Sequence, residues 1–304
     1  MKQLLKRIIH SVGPRLAANR TARDLFFLAA EQFTPAIRTK TGSYHYYVST
    51  ADRTVGREVY LSGGFDTDCI HHIFRLLCEL GIADFSGKLF VDIGANIGTT
   101  SVPVIIERGF LGGIAIEPEP SNFALLQANA ITNGLQDRLK CLRFALSDSI
   151  GHGEMELCPV NLGDHRLRPR NHSATDGIYH EASRDVVSVK TTTFDELVRN
   201  GTVDPASVGL VWIDTQGHEA NVLQGAQTLL RSRLPVVMEY WPYALNRAGG
   251  LDLLECLLKT NYKSFVDARA CKSITTGAIQ PIDQLPSLRS RYAGPNLTDL
   301  ILLK

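Results

Sequence analysis

Residues 88–100, KLFVDIGANIGTT, constrain what this chain can fold into more than any other segment. The apolar run Leu89-Phe90-Val91 ends in Asp92, and Gly94, Ala95 and Gly98 follow with Asn96 between them. An apolar run that stops at a Gly-rich turn is how a buried parallel strand hands over to a helix in a nucleotide-binding α/β fold. Glycines there let the backbone pass close to a ligand, because no Cβ blocks the approach. The spacing is not the GxGxxG of a dinucleotide fingerprint, and Gly98-Thr99-Thr100 is not the GK[ST] of a phosphate-binding loop.

An acid ahead of the first glycine suits a cationic or amine-bearing ligand better than a pyrophosphate. That points to S-adenosylmethionine, which carries an ammonium group and a positive sulfur. Residues 112–118, GGIAIEP, read as a second short strand ending in Glu117. This acid lies about 20 residues beyond the turn, where a Rossmann-like fold places a carboxylate against ribose hydroxyls.

The bulk numbers exclude several classes. At 304 residues, 44% hydrophobic and 21% charged, the chain has room for one large domain, or one domain plus an arm. A net charge of +1 gives no field that favours nucleic acid. No run of eighteen apolar residues offers a membrane span. Six scattered cysteines without a CxxC pair predict reduced thiols in a cytoplasmic protein and no zinc or other metal site. Residues 1–16 are basic and amphipathic, and read as a helix packed on its own chain or on a partner subunit. Lys2, Lys6, Arg7 and Arg15 also admit a peripheral membrane contact.

Two regions are expected. Residues 1–87 form an N-terminal arm and helical lead-in, with a helical pattern to about residue 33 and β-like stretches over 44–48 and 58–61. Residues 66–81 read as an amphipathic helix capped by Asp66 or Thr67 and ended by Gly81. His71 and His72 are adjacent and so cannot face one metal. Residues 88–304 form the catalytic domain. Strands are expected at 89–93, 113–117, 139–146, 154–158, 186–193, 210–214, 235–240, 263–267 and 297–303. Helices are expected at 99–108, 121–133, 194–200, 220–231 and 251–260. This rhythm predicts an α/β fold, a mostly parallel sheet with helices on both faces. Ligands then bind at the carboxyl ends of the strands, where Asp92, Glu117, Asp214 and Glu239 fall.

The blocks VDIGANIGTTS, AIEPEPSNFALLQANAITNG, FALSDSIG, WIDTQGHEANVLQGA and VVMEYWP resemble the FkbM-type S-adenosylmethionine-dependent methyltransferases. The likeness covers residues 88–304. It implies the class I methyltransferase (Rossmann-like) fold, with a seven-stranded sheet whose last strand, 297–303, runs antiparallel beside 263–267. It also implies a cofactor over the turn from Asp92 to Gly98 (Gly94, Ala95, Asn96), Glu117 on the ribose, and Asn122 with Ala145, Leu146 and Ser147 near the adenine. Hydroxyls of sugars or natural-product scaffolds are the acceptors it implies, a small-molecule or glycan partner rather than nucleic acid.

Methyl transfer to a hydroxyl needs an aligned acceptor and a group that helps remove a proton. The block 214–219, DTQGHE, follows a buried strand on the same rim as the cofactor turn. His218 is a candidate general base, since imidazole titrates near 6.5. Asp214 borders both cofactor and acceptor, and can hold the acceptor or orient a base. Glu219 reads as a first-turn helix acid. Glu239 ends a strand, and Tyr240 and Trp241 beside it can stack on a flat acceptor. Residues 159–185 are too long for a plain connector and read as a lid or acceptor-binding insert. His165, His172 and His180, with Arg166, Arg168 and Arg170, would make that lid cationic. The histidine spacings of seven and eight fit no compact metal motif. An N-methyltransferase on the same fold, and a non-catalytic module that binds the cofactor or a nucleotide, are the alternatives.

Overall fold

The computed structural model describes residues 18–39, 42–82, 84–169 and 177–304. The basic segment 1–16, with its membrane contact, lies outside the described residues, as do Arg170 and His172.

The strands in chain order are β1 (Ala36–Arg38), β2 (Tyr47–Ser49), β3 (Leu89–Ile93), β4 (Gly112–Ile116), β5 (Leu139–Leu142), β6 (Ala145–Leu146) and β7 (Gly151–Leu157). β8 (Arg166–Leu167), β9 (Asp185–Thr192), β10 (Val208–Ile213), β11 (Val236–Tyr240), β12 (Ser264–Asp267), β13 (Ile279–Pro281) and β14 (Thr298–Leu303) follow. Eight of them form the central sheet in the order β13-β12-β14-β11-β10-β3-β4-β5. Neighbours from β5 to β11 pair in parallel, and β14 runs antiparallel to both β11 and β12. This is the class I methyltransferase sheet. The expected seven strands are present, and β13 adds a short antiparallel eighth at the edge beyond β12. The chain leaves β3 towards β4 and β5 on one side and later returns to β10 and β11 on the other. The order therefore reverses between β3 and β10, where α/β sheets open a ligand crevice.

Strand alternation assigns the two faces. Val91, Ile93, Ile114, Val211, Ile213 and Met238 enter one core. Phe90, Ala115, Leu210, Trp212 and Val237 enter the other. The second core is shared with the arm, whose Phe27, Tyr46, Val48, Val55, Val59 and Ile73 are buried in it. The arm is thus packed on the sheet.

Several local expectations shift. Residues 58–61 are helical, inside Val55–Ser62, not extended. Val55 and Val59 are one helical turn apart and both buried, and Asp52 accepts hydrogen bonds from the backbone N–H of Thr54 and Gly56 at 3.0 and 2.8 Å. The helix Pro120–Thr132 starts ahead of Ser121, because Glu119 accepts from the Asn122 N–H at 2.6 Å and Pro120 occupies the first turn. The stretch 139–146 splits: β5 ends in the central sheet, and β6 joins a second sheet ordered β6-β9-β7-β8. The helix expected over 220–231 breaks into Glu219–Gln224 and Gln227–Arg231. At the break, a Cβ on Gly225 would overlap the Ser147 carbonyl, so glycine permits that contact. Among the described residues no helix is long and apolar enough to cross a membrane.

Candidate active site

A cavity of about 650 Å³ opens at the carboxyl ends of β3, β4, β10 and β11, at the reversal of strand order. This is the size of an ordinary small-molecule site. Of the residues singled out from the sequence, Gly94, Ala95, Asn96, Glu117, Asn122, Ala145 and Leu146 share its wall. Asp214, His218 and Glu239 line it too. Asp92 and Gly98 do not. Asp92 is buried beneath the turn, where the Ser101 hydroxyl donates to it. Gly98, at φ +89°, faces the side chains of Leu126 and Val102.

The turn is built by close backbone packing. Both Gly94 and Ala95 donate their N–H to the Ile116 carbonyl, at 2.9 and 3.0 Å, tying the end of β3 to the end of β4. The Asp214 N–H donates to the Ile93 carbonyl at 2.9 Å, bringing β10 alongside. Gly94 has φ +90°, and a Cβ there would overlap the Asp214 carbonyl oxygen. The same turn pins Glu117: one of its oxygens accepts from the Asn96 N–H at 2.9 Å, the other from the Glu119 N–H at 2.8 Å. The Asn122 amide donates to the Leu162 carbonyl at 2.8 Å. The segment after β7 therefore crosses above Glu117 and is fastened also to the arm, where the Arg53 N–H donates to Val160. The side-chain oxygens of Asn96 and Asn122 are buried with no donor among the described residues.

On the far side of the turn, Gln216 links two acids. Its amide donates to Asp214 at 2.7 Å and to Glu239 at 3.1 Å. Asp299, opposite Glu239 on β14, adds a third carboxyl to the same wall. Glu219 is fully buried behind the loop and stitches it, accepting from the Thr215 N–H at 2.8 Å, its hydroxyl at 2.9 Å and the Gly217 N–H at 3.2 Å. His218 reaches towards β6. Its Nε2 is 2.9 Å from the Ser147 hydroxyl, on the side of Ala145 and Leu146.

Burial pushes all these carboxyls upward: Glu117 to about 8, Asp92, Glu219 and Asp299 to about 7, Asp214 to about 6, and Glu239 well above the usual range. A carboxyl whose folded pKa is raised binds more protons folded than unfolded. Stability is then lost as pH rises from the unfolded value near 4 through the folded value. The ligand-free protein should melt at a higher temperature at pH 5 than at pH 8, as read by calorimetry. A melting temperature that rises over this interval would contradict the assignment. By the same sign, a cationic ligand should bind more tightly at pH 8, where more of the carboxyls are ionised.

The insert 159–185 departs from expectation. Among its described residues, Arg166, Arg168 and Arg184 do not present a cationic face. Arg166 is 3% exposed and pairs with Asp164 at 2.6 Å and Glu181 at 2.9 Å. Arg184 pairs with Asp164 at 2.6 Å, and Arg168 and Arg247 share Glu156 at 3.1 and 2.9 Å. The Arg166 guanidinium also lies over Trp241, Tyr179 and Tyr243, 4.6 to 5.8 Å from the ring centroids. The positive charge of these three arginines is paired with carboxylates folded against it. His165 accepts from the Cys158 N–H at 3.0 Å, and burial lowers its pKa. No group of three metal-ligating side chains is found among the described residues.

Sequence reasoning missed Gln216, Asp299 and Arg269 on this wall. Gln216 is marked by a backbone φ of +55°, which sequence does not display. Asp299 is marked only by its register opposite Glu239. Arg269 lies in the loop after β12, exposed at the cavity edge, and its guanidinium makes no hydrogen bond or ion pair among the described residues.

The family model of the methyltransferase FkbM domain matches residues 92–263, from beneath the Gly94 turn past β11. The chain belongs to the FkbM methyltransferase family. Hexuronic acid methyltransferase AglP of Haloferax volcanii is 29% identical over 167 residues, 55% of this chain and 60% of that protein. The 2-O-methyltransferase NoeI of Sinorhizobium fredii is 26% identical over 160 residues, 50% of this chain and 63% of that one. The chain thus spans less than two thirds of the length of either relative. The FkbM methyltransferase structure from Methylobacillus flagellatus KT aligns at 16% identity with a TM-score of 0.41, covering 73% of this chain and 45% of that one. For this FkbM family member, the matched segment carries the Gly94 turn, Glu117, Asp214 and Glu239 together.

Proposed function

We propose that this chain is an S-adenosylmethionine-dependent methyltransferase that acts on a hydroxyl of a sugar or sugar-like acceptor. The observation that carries this reading is the Asp214–Gln216–Glu239 arrangement pressed against the Gly94 turn. A proton acceptor stands beside a ligand turn in one small-molecule cavity. The residues present suit the cofactor. Acidic side chains line the cavity for a cationic ligand, and the buried side-chain oxygens of Asn96 and Asn122 have no donor among the described residues. Glu117 is pinned with lone pairs left for hydroxyls. Gly94, Ala95, Asn96, Glu117 and Asn122 would hold it, with Ala145 and Leu146 along its flat base. When bound, S-adenosylmethionine supplies an electrophilic methyl group.

The chain's own part is to seat the acceptor and take its proton. Asp214, at about 6, suits a base working near neutral pH. Glu239 backs it, and His218, tied to Ser147, belongs to the wall of Ala145 and Leu146. Trp241, held by its N–H to the Gly294 carbonyl at 2.9 Å, lines the cavity. Arg269, whose guanidinium makes no hydrogen bond or ion pair among the described residues, offers a cation to an acidic group on the acceptor. The names of the relatives, a hexuronic acid methyltransferase and a 2-O-methyltransferase, support a sugar hydroxyl. All six cysteines are free thiols, which goes with action in the cytoplasm.

The test is incubation with methyl-labelled S-adenosylmethionine and p-nitrophenyl glucoside, glucuronide and glucosaminide. Label on a hydroxyl, with the glucuronide preferred, is the expected result. Label on the amine alone would establish the N-methyltransferase. Cofactor binding with no transfer to any acceptor of a wider sugar panel would favour the non-catalytic module.

A further inference from the structure

Gln216 has a left-handed backbone at φ +55°, a conformation that a glutamine rarely adopts without compensation. What the strain secures is the placement of one amide between two acids, 2.7 Å from Asp214 and 3.1 Å from Glu239. Glu239 is 3% exposed. Its first oxygen takes the amide hydrogen, and its second is occluded with no donor among the described residues. Across the ladder it faces another acid, Asp299. An ionised Glu239 would thus carry a buried oxygen without a donor among the described residues, near the carboxyls of Asp214 and Asp299, which is a costly arrangement for a fold to hold.

We propose that Asp214 and Glu239 act as one proton-sharing pair clamped by Gln216, with Glu239 carrying the proton and donating it to Asp214. Gln216 is the positioning residue. Asp214 then remains ionised as the base, stabilised by two donors. The pair stands on its own geometry, and its catalytic use rests on the function proposed above. In that use the acceptor O–H bond breaks and its proton passes to Asp214. The oxygen–methyl bond forms as the sulfur–methyl bond breaks. The pair then holds two protons and returns one to solvent.

The charged groups around the pair come from every side. Asp92 lies on β3, Glu219 behind the loop and Asp299 on β14. Asp66 and Asp164 approach from the arm and from the segment after β7, and Arg166 lies on the Glu239 side. Burial raises Asp214, and the hydrogen bonds from Gln216 and then Glu239 lower it again, in keeping with the shared proton.

Carbon-13 NMR of carboxyl-labelled protein, without cofactor or acceptor, decides the pair directly. The expected result is one carboxyl that titrates near pH 6 and a second that stays protonated above pH 7, both perturbed by Glu239→Gln. Both carboxyls titrating below pH 5 would overturn the proposal. In turnover, Gln216→Met should move the acid limb of kcat/KM up by about one pH unit, roughly a fivefold loss at pH 6. The KM for S-adenosylmethionine should stay within about twofold. Glu239→Gln, which keeps a donor, should retain at least about tenfold more activity than Glu239→Leu. An acid limb in Gln216→Met superimposed on the wild type would also overturn it. Failure to bind S-adenosylmethionine would count against the proposed function and leave the NMR result standing for the pair.

Discussion

Gly94→Ala is expected to weaken S-adenosylmethionine binding by at least about 100-fold, and to do so through a backbone clash. The new Cβ would overlap the Asp214 carbonyl oxygen. Neither partner can yield easily. Gly94 is fixed to the Ile116 carbonyl and Asp214 to the Ile93 carbonyl, each at 2.9 Å. The φ of +90° adds its own penalty, since an L side chain there meets its own backbone. Relief requires β3 and β10 to part at their carboxyl ends, which is where the cavity lies. Gly109→Ala serves as the control. Its φ is +77°, but a Cβ there meets nothing within 4 Å. That variant should lose about 1 kcal/mol of stability and keep its affinity within about twofold. If Gly94→Ala bound the cofactor as the wild type does in calorimetry, the turn would not be the binding element.

Arg166→Met should destabilise the fold by about 3–5 kcal/mol, the scale expected when one partner of a buried ion pair is removed. Asp164 and Glu181 are 4% and 0% exposed, so both would be left buried with less compensation. The Arg184 partner of Asp164 softens the loss there, at 2.6 Å. Glu181 keeps the Tyr243 hydroxyl at 2.7 Å and the more distant Arg247 guanidinium at 3.8 Å. The guanidinium also props Trp241 and Tyr179, which line the cavity, so its loss should raise the acceptor KM as well as lower the urea midpoint. The double variant Arg166→Met/Glu181→Leu should recover part of the loss, because it removes the stranded charge. A single-variant loss below about 1 kcal/mol would show that the network is not held by Arg166.

The sheet was legible in the sequence because its central strands are buried on both faces and so read as apolar runs ending in acids. β3, β4, β10 and β11 are of this kind. The turn was legible because Gly94 has a steric reason to be glycine. The less legible parts are those where partners are distant in sequence. Residues 58–61 read as extended until Asp52 and Gly63 are seen to bracket a helix. Arg166 and Arg168 read as a solvated basic lid, since nothing local announces that Glu156 and Glu181 will fold onto them. His218 stood out by residue type, and its bond to Ser147 depends on a chain crossing 71 residues away. Gln216 and Asp299 owe their places to one backbone angle and one strand register, and neither leaves a local signal.

The central claim is that this cavity takes S-adenosylmethionine. Calorimetric titration of the whole chain with S-adenosylmethionine and, separately, with NAD tests it most directly. A dissociation constant on the order of micromolar is expected for the first, about −8 kcal/mol, and no heat from the second. Binding of NAD without S-adenosylmethionine, or of neither ligand at pH 8 where more of the carboxyls are ionised, would contradict it.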